Sequence, residues 1–94
     1  MMSISLIAYG FNEEENIKSF IFSAYKFCKS ITKDFEIIYL DDGSTDDTLK
    51  IIKRLKKINK YKIRIFRNKK NEGVGYNFKK ILKLPKKILL FIKP

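Results

Sequence analysis

Phe35-Glu36-Ile37-Ile38-Tyr39-Leu40 is a short apolar run, and Asp41-Asp42-Gly43-Ser44 follows it without a break. β-Branched and aromatic residues over this length are typical of a strand covered on both faces, as in a parallel sheet. The acidic residues and the glycine then predict a turn where that strand ends. An amphipathic helix should follow, with an apolar stripe of Leu49, Ile52, Leu55 and Ile58. We expect Ser44 or Thr45 to cap it.

The same alternation of strand and helix extends in both directions along the chain. Strands are predicted at residues 3–9, 35–40, 62–67 and 88–92, and the flanking helices at about 13–29, capped by Asn12, and at about 74–83. The order is therefore β-α-β-α-β-α-β, which calls for right-handed crossovers between parallel strands. We predict an α/β, Rossmann-like parallel sheet with strand order 3-2-1-4 and helices on both faces.

Composition limits the chain to one small domain and excludes some kinds of site. A chain of 94 residues with 45% hydrophobic residues can bury one core, so residues 1–94 are expected to form a single domain. The only cysteine, Cys28, lies in the apolar pattern of the first helix and is expected to be a buried thiol. Histidine is absent, which excludes His-based activation of a nucleophile.

Charge is distributed unevenly along the chain. The net charge is +11, yet residues 1–47 carry four Lys and nine acidic residues, whereas residues 48–94 carry 17 basic residues and one acidic residue. Because the lysines are spread over helix faces, a nucleic-acid partner is not expected, and weak contact with an anionic membrane surface is favoured. The longest apolar run, Ile88–Ile92, is far shorter than the roughly 20 residues that span a bilayer. A cytoplasmic location is expected, with peripheral contact at the inner face of the membrane.

The acidic pair Asp41-Asp42 is the sharpest chemical signal. Two adjacent carboxylates at a buried strand end repel each other unless hydrogen-bond donors take up their charge. The N3–H group of a uracil and the hydroxyl groups of a ribose are such donors. Gly43 would let the backbone turn sharply beside a ligand. The alternative is a turn that only caps the second helix.

Two further polar clusters follow the first and third strands. After the first strand, Tyr9-Gly10-Phe11-Asn12-Glu13 offers a ring that could stack on a base and polar groups that could contact a sugar. After the third, Asn71-Glu72-Gly73-Val74-Gly75 could hold a phosphate at the start of a helix. A helix cap and an ordinary loop are the alternatives. In parallel sheets ligands bind beyond the carboxyl ends of strands, which is where all three clusters should meet.

Taken in order, the three clusters resemble the start of a family 2 glycosyltransferase of the GT-A fold. The matching segments are Ser5–Ile17, Glu36–Thr48 and Arg67–Gly75, and the resemblance covers about residues 3–82. It implies transfer of a sugar from a nucleotide diphosphate donor, a UDP-sugar above all, to a glycan or lipid acceptor of the cell envelope. Tyr9 stands where the family often has proline.

The resemblance also implies roles for individual residues. Phe11 and Asp42 would contact the base with Asp41 nearby, and Asn12 and Glu13 would line the nucleoside pocket. The whole predicted nucleotide-binding set is Tyr9, Phe11, Asn12, Glu13, Asp41, Asp42, Ser44, Asn71 and Gly73.

The resemblance breaks down after the fourth strand. There the family has an Asp-x-Asp motif that holds Mg²⁺ or Mn²⁺, but this chain has Lys93-Pro94. We therefore expect no metal site and no catalytic residue within this chain, and a truncated donor-binding part that is inactive alone. The alternative is a non-catalytic nucleotide-binding or regulatory module.

Overall fold

A computed structural model describes residues 3–68 and 88–92 of the chain. The four strands are β1 (Ser3–Gly10), β2 (Asp34–Asp41), β3 (Ile63–Arg67) and β4 (Ile88–Ile92). The two helices are α1 (Ile17–Ile31) and α2 (Thr48–Lys56), and a single 3₁₀ turn, Asn59–Tyr61, precedes β3. The predicted third helix at 74–83 lies outside the described residues.

The four strands form one parallel sheet in the order β3-β2-β1-β4. The predicted α/β class with a parallel sheet is therefore confirmed. Register aligns the strand ends that matter for a site, since Gly10 of β1 pairs with Asp41 of β2, and Asp41 pairs with Arg67 of β3. The loops that follow these three strands therefore begin side by side.

Alternation along the strands gives the sheet two different faces. The helix-side face carries Ile4, Leu6 and Ala8 of β1, which pack with buried residues of α1 and α2, including Ile21 and Ile52. The opposite face carries a smaller cluster of Ile7, Ile38 and Leu40, packed against Tyr9 and Phe66.

Cys28 is a buried free thiol in the helix-side core, as predicted. Burial raises the pKa of this thiol, so it remains protonated at neutral pH. Within residues 3–68 and 88–92, the helices are too short and too polar to cross a bilayer.

The first predicted helix began four residues too early. α1 begins at Ile17 with Asn16 at its N-cap, and residues 14–16 form a turn before it. Asn12 does not cap α1, because its backbone has φ of 54° and its side chain bonds to another loop. The N–H groups of Glu13 and Glu14 also bond across to that loop. These long-range partners are not visible in a local pattern.

The predicted cap of the second helix was also wrong. α2 begins at Thr48, and neither Ser44 nor Thr45 caps it. Asp47 occupies the N-cap without a side-chain cap bond, and the preceding residue, Asp46, accepts the backbone N–H of Thr48 through Oδ1 at 2.9 Å. Ser44 is unavailable because its hydroxyl is engaged with Asp41.

Candidate functional site

The loops after β1 and β2 are joined directly at the edge of the sheet. The Asp42 N–H donates to the carbonyl oxygen of Gly10 at 2.9 Å, which extends the strand pairing by one step. The Asn12 N–H then donates to the Ser44 hydroxyl oxygen at 3.0 Å. Segments more than 30 residues apart in the chain therefore form one continuous rim, as the predicted site requires.

Asp41 is fully buried and its carboxylate is engaged with Ser44. The Ser44 N–H donates to Oδ2 at 2.9 Å, and the Ser44 hydroxyl donates to Oδ1 at 2.6 Å. Gly43 makes this closed turn possible, because its φ of 80° is strained for residues with a side chain. The carboxylate of Asp41 thus shapes the loop from inside the protein.

Asn12 holds the first loop against the second. Its Oδ1 atom accepts the backbone N–H of Thr45 at 2.8 Å and that of Asp46 at 3.3 Å. Its amide nitrogen lies 3.3 Å from the Thr45 hydroxyl oxygen. The positive φ of Asn12 is tolerated because asparagine visits the left-handed region more readily than most residues.

Glu13 joins the same network through its backbone. Its N–H donates to the Thr48 hydroxyl oxygen at 2.8 Å, and the Thr48 hydroxyl donates to Asp46 Oδ1 at 2.5 Å. Burial acts to raise the pKa of Asp46, but hydrogen bonds from Thr48 and Glu14 outweigh it and hold the pKa below its ordinary value. Asp46 is therefore ionised at neutral pH and serves as an acceptor.

Asp42 bonds in a different direction from Asp41. It is 5% exposed, and its Oδ1 atom accepts the side-chain amide of Asn68 at 3.0 Å. Asn68 is itself buried, and its N–H donates to the Asp41 carbonyl oxygen at 2.9 Å. The sequence did not single out Asn68, although its position directly after a strand is the same signal that identified the other loops.

Tyr9, near the end of β1, and Phe11, in the loop that follows it, differ in exposure. Tyr9 is partly buried against the Ile7–Ile38–Leu40 cluster on the face opposite the helices. Phe11 is 40% exposed at the rim. An exposed ring beside buried polar groups is suited to stacking against a planar ligand.

Gly10 and Tyr39 fit together beneath the rim. A Cβ atom on Gly10 would lie only 2.4 Å from the Tyr39 hydroxyl oxygen, so the glycine is required for close approach. Within the described part of the chain, this hydroxyl is the buried side-chain oxygen that lacks a hydrogen-bond partner. Burial raises the pKa of the Tyr39 phenol, and the nearby Asp41 carboxylate adds to the effect.

The predicted residues Asn71 and Gly73 lie outside the described residues. The structure therefore brings together Tyr9, Phe11, Asn12, Glu13, Asp41, Asp42 and Ser44 of the predicted set. Within residues 3–68 and 88–92, no group of three or more acidic, cysteine or histidine side chains is placed to hold a metal ion.

Sequence comparison finds curated relatives that are described as glycosyltransferases. The chain is 46% identical over 52 residues to the putative glycosyltransferase CsbB of Bacillus subtilis, a match that spans 55% of this chain and 16% of that protein. It is 33% identical over 78 residues to the dolichyl-phosphate beta-glucosyltransferase of Dictyostelium discoideum, spanning 77% and 24% respectively. The chain thus covers a quarter or less of these relatives.

Comparison of structures finds a similar fold in two solved structures that contain a nucleotide sugar. A crystal structure of S. aureus TarS 1-349 in complex with UDP-GlcNAc has a TM-score of 0.81 and 29% identity, covering 98% of this chain and 26% of that one. The mannosyltransferase PcManGT from Pyrobaculum calidifontis, in complex with GDP-Man and Mn²⁺, has a TM-score of 0.78 over 88% of this chain and 24% of its own. At 18% identity, that second likeness concerns the fold alone.

The match to a protein family covers most of the chain. Residues 5–86 match the family described as Glycosyl transferase family 2. The resemblance inferred from the three clusters is thereby confirmed, and the chain belongs to glycosyl transferase family 2.

Proposed function

We propose that this chain is the donor-binding region of a glycosyltransferase and that its rim binds the nucleotide of a UDP-sugar. The observation that carries the proposal is the junction of the Phe11 loop with the Asp42 loop, through the bond from Asp42 N–H to Gly10 oxygen. This junction lies beyond the carboxyl ends of parallel strands, where ligands collect in such sheets. TarS, at 29% identity, binds UDP-GlcNAc, which favours uridine over other nucleosides.

The contacts within the site suggest a division of roles. Phe11 would stack on the base, since its ring is exposed, and Asp42 would accept the N3–H of uracil. Asn12, Glu13 and Ser44 would hold the loops in the shape that receives the nucleoside. Tyr9 would lie beneath the nucleoside at the end of β1, and Asn71 and Gly73 would bind the phosphates.

The transfer reaction is proposed only for a whole protein, since this chain spans a quarter or less of its curated relatives. In such a protein, Mg²⁺ or Mn²⁺ would neutralise the diphosphate and would be held by residues outside the described ones. The 94 residues themselves are proposed to bind the donor without transferring its sugar. We propose a cytoplasmic location with weak contact to anionic lipid, and a glycan or lipid acceptor of the cell envelope.

Isothermal titration with UDP tests the nucleotide site. Asp42→Ala should weaken UDP binding by about 10- to 150-fold, which corresponds to the roughly 1.5–3 kcal/mol of one hydrogen bond to a charged group. Asp47→Ala is the matched control, because it removes an exposed carboxylate from the same loop that makes no side-chain cap bond to α2. Equal UDP affinity for the wild type and both variants would refute the assignment.

A further inference from the structure

We propose that the end of the molecule opposite the rim docks onto an anionic bilayer through a patch of lysines and aromatic rings. This patch, the lysine–aromatic surface, consists of Tyr25, Lys29, Lys33, Phe35, Lys60 and Lys62. The proposal rests on the membrane contact in the proposed function and assigns that contact to one surface. It does not depend on nucleotide binding.

The lysine–aromatic surface lies where the strands begin. Lys33 immediately precedes β2, and Phe35 is the second residue of that strand. Lys62 immediately precedes β3, and Lys29 lies in the last turn of α1. β2 has eight residues, and Asp42 directly follows its last one. At about 3.3 Å per residue, Asp42 is therefore roughly 25 Å from the start of β2. A bilayer at this surface would leave the nucleotide rim accessible.

Aromatic rings form the floor of this surface. The ring of Tyr25 lies 6.1 Å from that of Phe35 and 5.2 Å from that of Tyr61, measured between centroids. Above them is an open cavity of about 220 Å³. The cavity is shallow and apolar at its base, so it can receive part of a headgroup or an acyl chain.

Lysine ammonium groups are held around that floor. Lys29 Nζ and Lys60 Nζ each lie 5.5 Å from the centroid of the Tyr25 ring, and Lys62 Nζ lies 4.6 Å from that of Phe35. The Lys62 ammonium also donates to the Lys33 carbonyl oxygen at 2.8 Å. Cation–π contacts of this kind keep the lysine stems along apolar surface and the charges at its edge.

The acidic residues next to this surface in sequence are engaged on the other face of the sheet. Asp34 accepts a hydrogen bond from the Ser3 hydroxyl. Glu36 accepts one from Ser5 at 2.8 Å and forms an ion pair with Arg64 at 3.2 Å. Because side chains alternate along β2, neither carboxylate neutralises the lysines around Phe35.

The adjoining flank of α1 favours a bilayer over other anionic partners. Phe22 is 47% exposed, and Lys26 Nζ lies 5.1 Å from the centroid of its ring. Phe22, Tyr25, Lys26 and Lys29 share one flank, since they are three, four and seven residues apart. One acidic residue, Glu15, lines the cavity beside Phe22. A bilayer interface offers both phosphates and apolar depth, which matches exposed rings among lysines, whereas a nucleic acid backbone offers charge without apolar depth.

Vesicle binding by the whole 94-residue chain tests the proposal. We expect binding to vesicles of equimolar phosphatidylcholine and phosphatidylserine and little binding to phosphatidylcholine alone. The surface variant combines Lys29→Gln, Lys33→Gln, Lys60→Gln and Lys62→Gln. The matched control removes the same charge from exposed positions of α2 and its end, through Lys50→Gln, Lys53→Gln, Lys56→Gln and Lys57→Gln.

The surface variant should lose at least about 100-fold in vesicle partitioning, since each lysine near a membrane contributes about fivefold. The control should bind at least about tenfold better than the surface variant, because its lysines lie on α2 and its end, outside the lysine–aromatic surface. Equal losses would mean that overall charge drives binding and would overturn the proposal. Equal binding to neutral vesicles, or stronger binding to duplex DNA than to anionic vesicles at the same salt, would overturn it too.

Titration with UDP separates this proposal from the proposed function. The surface variant should bind UDP as the wild type does, and the vesicle-bound wild type should still bind UDP, because the two sites lie at opposite ends of β2. Failure of UDP binding with intact vesicle binding would count against the nucleotide site alone. If vesicles and UDP competed, the assigned surface would be wrong.

Discussion

Asp41 and Asp42 are adjacent in the chain but belong to two different parts of the rim. Asp41 belongs to a loop-building network, which we define as Asn12, Asp41, Ser44, Thr45, Asp46 and Thr48. Asp42 instead pairs with Asn68 after β3. Successive residues of an extended chain point to opposite sides, so one acidic motif supplies both an internal brace and a candidate ligand contact. Two adjacent acidic residues therefore need not share the same role.

The largest effect on stability is expected from removing the hydrogen bonds between Asp41 and Ser44. Asp41→Ala removes two hydrogen bonds to a buried carboxylate and leaves the N–H and hydroxyl of Ser44 without their acceptor. We expect the free energy of unfolding to fall by about 3 kcal/mol or more, measured by urea denaturation. Ser44→Ala should cost less, because the Asp41 side chain would still accept the backbone N–H.

A double variant checks that the two residues act together. Asp41→Ala with Ser44→Ala should cost clearly less than the sum of the single variants, because both remove the same hydroxyl bond. Additive losses would show that Asp41 and Ser44 do not stabilise the loop through a shared hydrogen bond. In the same series, Asp42→Ala should weaken UDP binding more than it lowers the free energy of unfolding.

A smaller effect on stability is expected where Gly10 packs against Tyr39. Gly10→Ala would place a Cβ atom 2.4 Å from the Tyr39 hydroxyl oxygen, and we expect a loss of about 1–3 kcal/mol from overpacking. Tyr39→Phe removes that oxygen, so the double variant should recover most of the loss. Thermal unfolding of the two single variants and the double variant measures this. If Tyr39→Phe gave no recovery, the close approach would not be the reason for glycine.

The smallest effect concerns pH. In the folded chain the pKa of Asp46 is held below its ordinary value of 3.8, so folding favours the ionised carboxylate. Its contribution to stability is fully present above that ordinary value and is lost as pH falls through the lowered pKa. Asp46→Asn should therefore be less stable than wild type at neutral pH, and the difference should shrink in acid. A difference in urea midpoint that stays constant with pH would contradict this.

Much of the fold was predictable because parallel strands have a strong local signature. The run from Phe35 to Leu40 identified β2, and the apolar stripes located both described helices. The start of α1 was misplaced because the N–H groups of Glu13 and Glu14 bond to Thr48 and Asp46, far along the chain. Local helix signals cannot register such partners.

The candidate site was predictable as a set of loops, but the roles within it were not. Asn12 was identified as a polar residue of the first loop, yet its partners are the N–H groups of Thr45 and Asp46. Asn68 follows a strand as the other site residues do, but it was missed because no acidic residue or glycine stands next to it in the sequence. Its significance comes from the register that brings β3 beside β2.

The sequence by itself determined the alternation of strands and helices, the clustering of polar residues after strands, and the resemblance to glycosyl transferase family 2. These are properties of residue type and spacing. Only the tertiary structure decided that Asp41 is an internal brace, that Asp42 pairs with Asn68, and that four lysines surround an aromatic floor at the opposite end. Each of these depends on which side chains the sheet brings together, because hydrogen bonds and ring contacts act only over a few ångströms.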